Sequence, residues 1–265
     1  MAGNCAPILI DSHVHLDDQR LNSHLEAVVQ AARSANVAAM VVPATTHDLW
    51  PRVKSVCAEI EEAHACYGLH PCFCLDHDDE HIANLSIWIA REHPVAVGEC
   101  GLDYQISNAD KAKQQQIFSA QLALAREFDL PVVIHARKAV EDVIRMVRSS
   151  GHYNGMVHSF NGSLQQAHRL IDLGYKISLG GAVTYPRATR LQALAAKLPL
   201  DSLLLETDAP DQTDVNHAGE LNQPAFLIDV WQIISQLRSE SSLEVAKRTT
   251  ANAAELFGLP VAEAA

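Results

Sequence analysis

The sequence predicts an α/β fold, a single (β/α)8 TIM barrel spanning residues 1–265, and three observations carry that reading. Eight short β-rich runs recur along the chain: PILI (7–10), VAAMVV (37–42), HACYGL (64–69), VAVGE (95–99), PVVIH (131–135), GMVHS (155–159), YKISLG (175–180) and LLLET (203–207). Helical patterns lie between them, and strand then helix, repeated, is the signature of a parallel sheet. Several runs are almost wholly apolar, as expected of strands covered by protein on both faces. An open doubly wound sheet is the alternative, but neither of its usual phosphate motifs, G-x-G-x-x-G or G-x-x-x-x-G-K-[ST], occurs.

Taken in order, the first run leads into IDSHVHLDD (10–18), where His13 and His15 stand one residue apart. Side chains of an extended strand repeat every two residues, so both imidazoles point to one face, as a pair of metal ligands would. LEAVVQAARSA (25–35) has helical apolar spacing before the second run. AKQQQIFSAQLALAREF (112–128) reads as a helix that Asp129–Leu130–Pro131 stops before the fifth strand. SLQQAHRLIDL (163–173) is a further helix, with Gly174 as its C-terminal glycine, and Pro186 suits the first turn of RATRLQALAAKL (187–198). No linker, low-complexity segment or internal repeat interrupts the series, which favours one domain over two.

A chain of 265 residues, 48% hydrophobic and 20% charged, has the composition of an ordinary globular protein with a large core. Twenty Lys and Arg against thirty-two Asp and Glu give a net charge of -12, which opposes binding to anionic membranes and to bulk nucleic acid. Any nucleic-acid substrate would therefore have to be held weakly and locally, and no obligate protein partner is evident. The opening MAGNCAPILID lacks a basic segment followed by a long apolar one, so a cytoplasmic location is expected. Six cysteines in so long a chain form no disulfide framework. Cys72 and Cys74, with His70 and His77 nearby, are spaced too closely for the usual structural zinc site, and free thiols are expected.

Active-site residues of a barrel gather at the C-terminal ends of its strands, and those are the polar places here. His13 and His15 end the first strand, Glu99 the fourth, His135 the fifth, His158 the sixth, and Glu206 and Asp208 the eighth. Imidazoles and carboxylates in this ratio favour Zn²⁺ or Mn²⁺ and allow Mg²⁺. Four histidines and two carboxylates exceed the needs of one ion and fit two divalent metal cations sharing a carboxylate.

These stretches, with GLHP (68–71), VGECGLDY (97–104), LPVVIHARKA (130–139), GYKISLGGAVTYPRA (174–188) and LLLETDAPD (203–211), resemble the TatD family of metal-dependent hydrolases, close to its YjjV-like branch. The resemblance covers nearly the whole chain and implies a barrel of the metal-dependent hydrolase type with a binuclear centre and deoxyribonuclease activity, often exonucleolytic. It places His13, His15 and Asp208 on one ion and His135 and His158 on the other, with Glu99 bridging. Water activated by the metals would attack phosphorus, with Asp208 as the candidate base. Glu206 would support the site or bind water, His70 and Arg137 are candidates for substrate contacts, and Asp11 and Asp103 for orienting histidines. The plainer readings are a rim salt bridge for Arg137, loop shaping for His70, and turn hydrogen bonds for the two aspartates.

Two departures stand out. ELNQPAFL (220–227) lacks the charges of the Arg-Asn-Glu-Pro stretch of many relatives, and HARKA (135–139) has Lys138 where an acid is common. Two rival functions remain at this stage: amidohydrolase-type cleavage of a cyclic amide or ester, whose binuclear members commonly bridge metals with a modified lysine absent here, and a non-catalytic metal-binding scaffold.

Overall fold

A computed structural model describes residues 7–107 and 110–260. Its strands are β1 (Leu9–Asp11), β2 (Val37–Pro43), β3 (Ala63–Tyr67), β4 (Ala96–Asp103), β5 (Val132–Arg137), β6 (Gly155–Val157), β7 (Tyr175–Leu179) and β8 (Leu203–Leu205). They form one eight-stranded sheet in chain order, with parallel pairing, which is the (β/α)8 arrangement expected. The helices are α1 (Leu25–Ser34), α2 (Trp50–Glu59), α3 (Asp79–Glu92), α4 (Lys111–Glu127), α5 (Val140–Ser150), α6 (Leu164–Ile171), α7 (Thr189–Lys197), α8 (Leu227–Gln236) and α9 (Ser242–Phe257). No helix among the described residues is long and apolar enough to cross a membrane. Cys5 lies outside them, and Cys57, Cys66, Cys72, Cys74 and Cys100 are free thiols.

Local chemistry explains where the elements begin and end. Ser163 caps α6 by accepting from the Gln166 amide, and the Gln166 side chain accepts from the Ser163 amide in return. Asp110 caps α4 through the Lys113 amide, and α4 ends before Asp129, which takes a positive φ of 53° ahead of Pro131. Pro186 does not open α7: it lies in a turn, and the helix starts at Thr189. The fourth strand runs four residues beyond the expected VAVGE, through Gly101 to Asp103. Gly98 and Gly101 have φ of +146° and +130°, and a Cβ on Gly101 would sit 2.1 Å from the His135 carbonyl oxygen. Glycine therefore lets β4 run close beside β5 on either side of Glu99.

The described residues divide into two compact units, one comprising the chain up to Met40 with Leu179 onward, the other Val41–Ser178. In the first, β1 and β8 are joined by the Ser12 amide donating to the Leu205 carbonyl at 3.0 Å and the Asp208 amide to that of His13 at 2.9 Å. Helix α9 packs on them, with Thr250 donating to the Ile8 carbonyl at 2.8 Å and Asn252 to those of Leu200 and Leu203 at 2.8 and 2.9 Å. In the second unit Val132, Val133 and Ile134 of β5 are fully buried, as are Phe118 and Ala125 of α4. Helix α4 also buries two glutamines. Gln121 accepts from the Leu69 amide at 2.8 Å and donates to the Leu69 carbonyl at 3.0 Å, while Gln114 makes the same pair with Asp103 at 2.9 and 3.0 Å. Each carboxamide engages the N–H and C=O of one residue as a neighbouring strand would.

Candidate metal centre

In the first unit, β1 leads into His13 and His15, and the turn after β8 brings Asp208 to them. His13 Nε2 and His15 Nε2 are 3.2 Å apart, and Asp208 Oδ1 lies 3.5 and 3.6 Å from them. Asp208 has φ of +56°, so its side chain leaves the strand's two-residue alternation. Its second oxygen accepts from Gln212 Nε2, a partner that nothing in the sequence pattern announced.

Asp11 does not touch an imidazole. Its Oδ1 accepts from the His13 amide at 3.2 Å and the Thr207 amide at 3.0 Å, and its Oδ2 lies 2.6 Å from Thr207 Oγ1. It fixes the backbone on which His13 is carried and ties it to the end of β8. Burial pushes the Asp11 carboxyl up to about 8, against the lowering effect of those hydrogen bonds. Glu206 is fully buried and offers a carboxylate oxygen within 4.8 Å of a ring nitrogen of His13.

The second unit holds a matching group around Glu99, at the close approach of β4 and β5. Glu99 Oε1 is 3.1 Å from His135 Nδ1 and 2.8 Å from His158 Nε2, and the two ring nitrogens are 3.2 Å apart. Asp103 Oδ2 accepts from His135 Nε2 at 3.0 Å, which fixes the ring with its Nδ1 edge facing Glu99. The same carboxylate accepts from the Gln105 amide at 2.8 Å, so it shapes the turn and orients the histidine together. Burial favours the neutral acid at Asp103, but the His135 and Gln105 hydrogen bonds and the charges of His135 and Arg137 outweigh it and hold the carboxyl below its usual range.

His70 joins this group. Its Nδ1 accepts from the Cys72 amide at 3.1 Å, so the proton resides on Nε2, which donates to Glu99 Oε1 at 3.1 Å. Burial lowers its affinity for a second proton, outweighing Glu99. His70 is thus a neighbour of the expected ligands as well as a loop former. Arg137 is exposed, and no carboxylate among the described residues pairs with it. Lys138 is also exposed, in the turn before α5, with φ of +56°. Asn222 of ELNQPAFL is buried and donates to the Thr207 and Asp211 carbonyls at 2.8 and 2.7 Å, anchoring the loop after β8.

Each unit therefore presents a triangle of two imidazole nitrogens and one carboxylate oxygen. Ligands of a four-coordinate ion at about 2.0–2.1 Å lie roughly 3.3–3.4 Å from one another. The first triangle's edges of 3.2–3.6 Å bracket that spacing, whereas the second's, 2.8–3.2 Å, are hydrogen-bond lengths that would have to open by a few tenths of an ångström to take an ion. No described cysteine belongs to a metal-binding group, and burial beside Asp103 pushes the Cys72 thiol up to about 12.

Comparison with known proteins agrees with this donor chemistry. The family model for TatD related DNase matches residues 10–258. The chain is 39% identical over 254 residues to the uncharacterized metal-dependent hydrolase YjjV of Escherichia coli strain K12, covering 95% of this chain and 98% of that one. It is 33% identical over 252 residues to YabD of Bacillus subtilis strain 168, a protein of the same description, covering 94% and 99%. The crystal structure of Escherichia coli YjjV, a TatD homolog, superposes with a TM-score of 0.92 at 38% identity, covering 95% of this chain and 98% of that one. Fold, ligand types and sequence thus converge, and the chain belongs to the TatD family of metal-dependent hydrolases.

Proposed function

We propose that this hydrolase cleaves phosphodiester bonds, acting as a deoxyribonuclease on DNA ends with two divalent metal cations, Mg²⁺, Mn²⁺ or Zn²⁺. The observation that carries the reading is the pair of imidazole–carboxylate triangles: His13, His15 and Asp208 in one unit, His135, His158 and Glu99 in the other. Divalent cations held there supply Lewis acidity, activating water and offsetting charge on a phosphoryl group.

The chain's own residues do the rest. Asp208, oriented by Gln212, accepts the proton of the attacking water. Asp103 keeps the Nδ1 edge of His135 facing Glu99, and His70 donates to Glu99 and fixes its rotamer. Arg137, exposed and unpaired among the described residues at the end of β5, would contact a phosphate oxygen of the substrate. The net charge of -12 opposes extended DNA, which favours ends, single strands or small phosphodiesters, and a reducing cytoplasm suits the free thiols.

The test is cleavage of end-labelled single-stranded DNA by protein stripped of metal and then given Mg²⁺, Mn²⁺ or Zn²⁺. Metal-dependent shortening is expected, with at least a 100-fold loss (roughly 3 kcal/mol) in Glu99→Ala and Asp208→Ala. Protein that binds metal yet cleaves no phosphodiester overturns the proposal and directs attention to amide and cyclic ester substrates.

A further inference from the structure

Among the described residues, one group of metal-ligating side chains shares no member with the two triangles: Asp214 and His217 in the loop between β8 and α8, and Asp229 in the first turn of α8. A ligand atom from each lies within 4.8 Å of the other two. His217 Nδ1 donates to Asp214 Oδ2 at 2.7 Å, and the imidazole lies flat on the Phe226 ring, with centroids 3.4 Å apart and planes 9° from parallel. Asn216 holds both carboxylates: its amide donates to Asp214 Oδ1 at 2.8 Å and its Nδ2 to Asp229 Oδ1 at 2.7 Å. The backbone is fixed as well, with the Val215 amide donating to Thr184 Oγ1 at 2.8 Å and the Tyr185 hydroxyl to the Asp214 carbonyl at 3.4 Å. Charge is an independent reason to expect a cation here. Asp214 is 1% exposed, and among the described residues neither Lys nor Arg pairs with it or with Asp229. An ionised carboxylate out of water is costly unless a positive charge faces it. One imidazole balances at most one of these two carboxylates, whereas a divalent ion offsets both.

We propose that Asp214, His217 and Asp229 form a third cation site, for Zn²⁺ or Mn²⁺, that fastens the loop after β8 to α8. One imidazole and two carboxylates suit those ions, and solvent completes the shell, since His217 and Asp229 are only half-buried. On binding, His217 gives its Nδ1 proton to solvent and directs that lone pair to the ion, and the 2.7 Å contact with Asp214 opens to roughly 3.3 Å, the spacing of two ligands on one ion. Asn216 keeps one oxygen of each carboxylate, and Phe226 keeps the plane of the imidazole. The same loop carries Asn222, which donates to the Thr207 and Asp211 carbonyls on either side of Asp208, so the ion braces the segment that presents Asp208. The site is independent of which bond the hydrolase cleaves.

The experiment counts zinc. Full-length wild type, Asp229→Asn and His217→Gln are dialysed against buffered free Zn²⁺ and their bound zinc is measured by elemental mass spectrometry, first as such and then with Glu99→Ala and Asp208→Ala added to each. Either variant is expected to hold one zinc fewer per chain than its parent, in both backgrounds. Asn216→Ala, which releases both carboxylates, is expected to bind that zinc roughly 10- to 100-fold more weakly in competition with a chromophoric chelator. Asp229→Asn keeps the shape of the side chain and an acceptor for Asn216, so the Tm of the metal-free variant should match wild type and separate lost ligation from lost fold. Equal zinc in parent and variants overturns the site, and does so without touching the two triangles or the phosphodiesterase reading.

Discussion

At the scale of single residues, side chains outside the two triangles determine where the triangles form. Gln121 and Gln114 stand seven positions apart on α4, two turns along one face, and their amides complete the hydrogen bonding of Leu69, next to His70, and of Asp103, which orients His135. Gln121→Ala would leave a buried amide and carbonyl without partners, at a cost of about 3 kcal/mol. Urea unfolding should then show a lower midpoint with an unchanged slope, and a midpoint within error of wild type would dismiss the role. His77 gives the fold a pH dependence: burial lowers its pKa from about 6.5 to about 4, so the fold keeps it neutral while the unfolded chain takes up a proton. Stability is therefore lost as pH falls from about 6.5 toward 4, with no contribution above about 7.5. In metal-free protein, His77→Gln should flatten part of the fall in Tm between pH 7 and 4.5; an identical slope in the variant counts against this assignment. The site histidines and carboxylates were legible because they interrupt apolar strand ends. The glutamines were not, since a polar residue on an amphipathic helix reads as solvent-facing until its partner is known.

At the scale of elements, β4 is decisive. Its length exceeded the apolar run VAVGE because Gly101, Leu102 and Asp103 pair with His135, Ala136 and Arg137 of β5. Hydrophobic patterning sees no strand in GLD, whereas the ladder needs only that the backbones meet. Gly101→Ala places a Cβ 2.1 Å from the His135 carbonyl oxygen at a φ of +130°, so β4 and β5 must separate. A loss on the order of 3 kcal/mol or more is expected, with weakened metal binding at the Glu99 group. Tm and metal titration of the variant measure both, and wild-type values would show that the close approach is dispensable. Other boundaries were easier. Ser163 with Gln166 and Asp110 with Lys113 cap their helices through neighbours in sequence, while Pro186 misled because proline suits a turn as well as a helix start.

At the scale of the whole molecule, metal and charge govern behaviour. A ligand that binds only the folded chain raises its stability by RT ln(1 + [L]/Kd), about 2.7 kcal/mol at a hundredfold excess over Kd. Added Mn²⁺ or Zn²⁺ should raise Tm and a chelator reverse it, and the rise should shrink in His13→Ala and in His158→Ala; an unchanged Tm with metal present would count against native-state ligation. If local cations such as Arg137 capture phosphates against the net charge of -12, rates on DNA at subsaturating substrate should fall as salt rises from 50 to 200 mM, and rates that rise with salt would show instead that screening of the chain's own negative charge dominates. The sequence by itself determined the strand–helix alternation, the parallel sheet and the residue types at the strand ends, because periodicity and short-range chemistry are properties of neighbours along the chain. Only the tertiary structure decided that Asp103 orients His135, that Asp11 holds backbone rather than an imidazole, that Gln212 occupies the second oxygen of Asp208, and that Arg137 stands unpaired among the described residues. Most of those contacts join segments distant in the chain, and all depend on backbone and side-chain directions that packing of the whole fold sets.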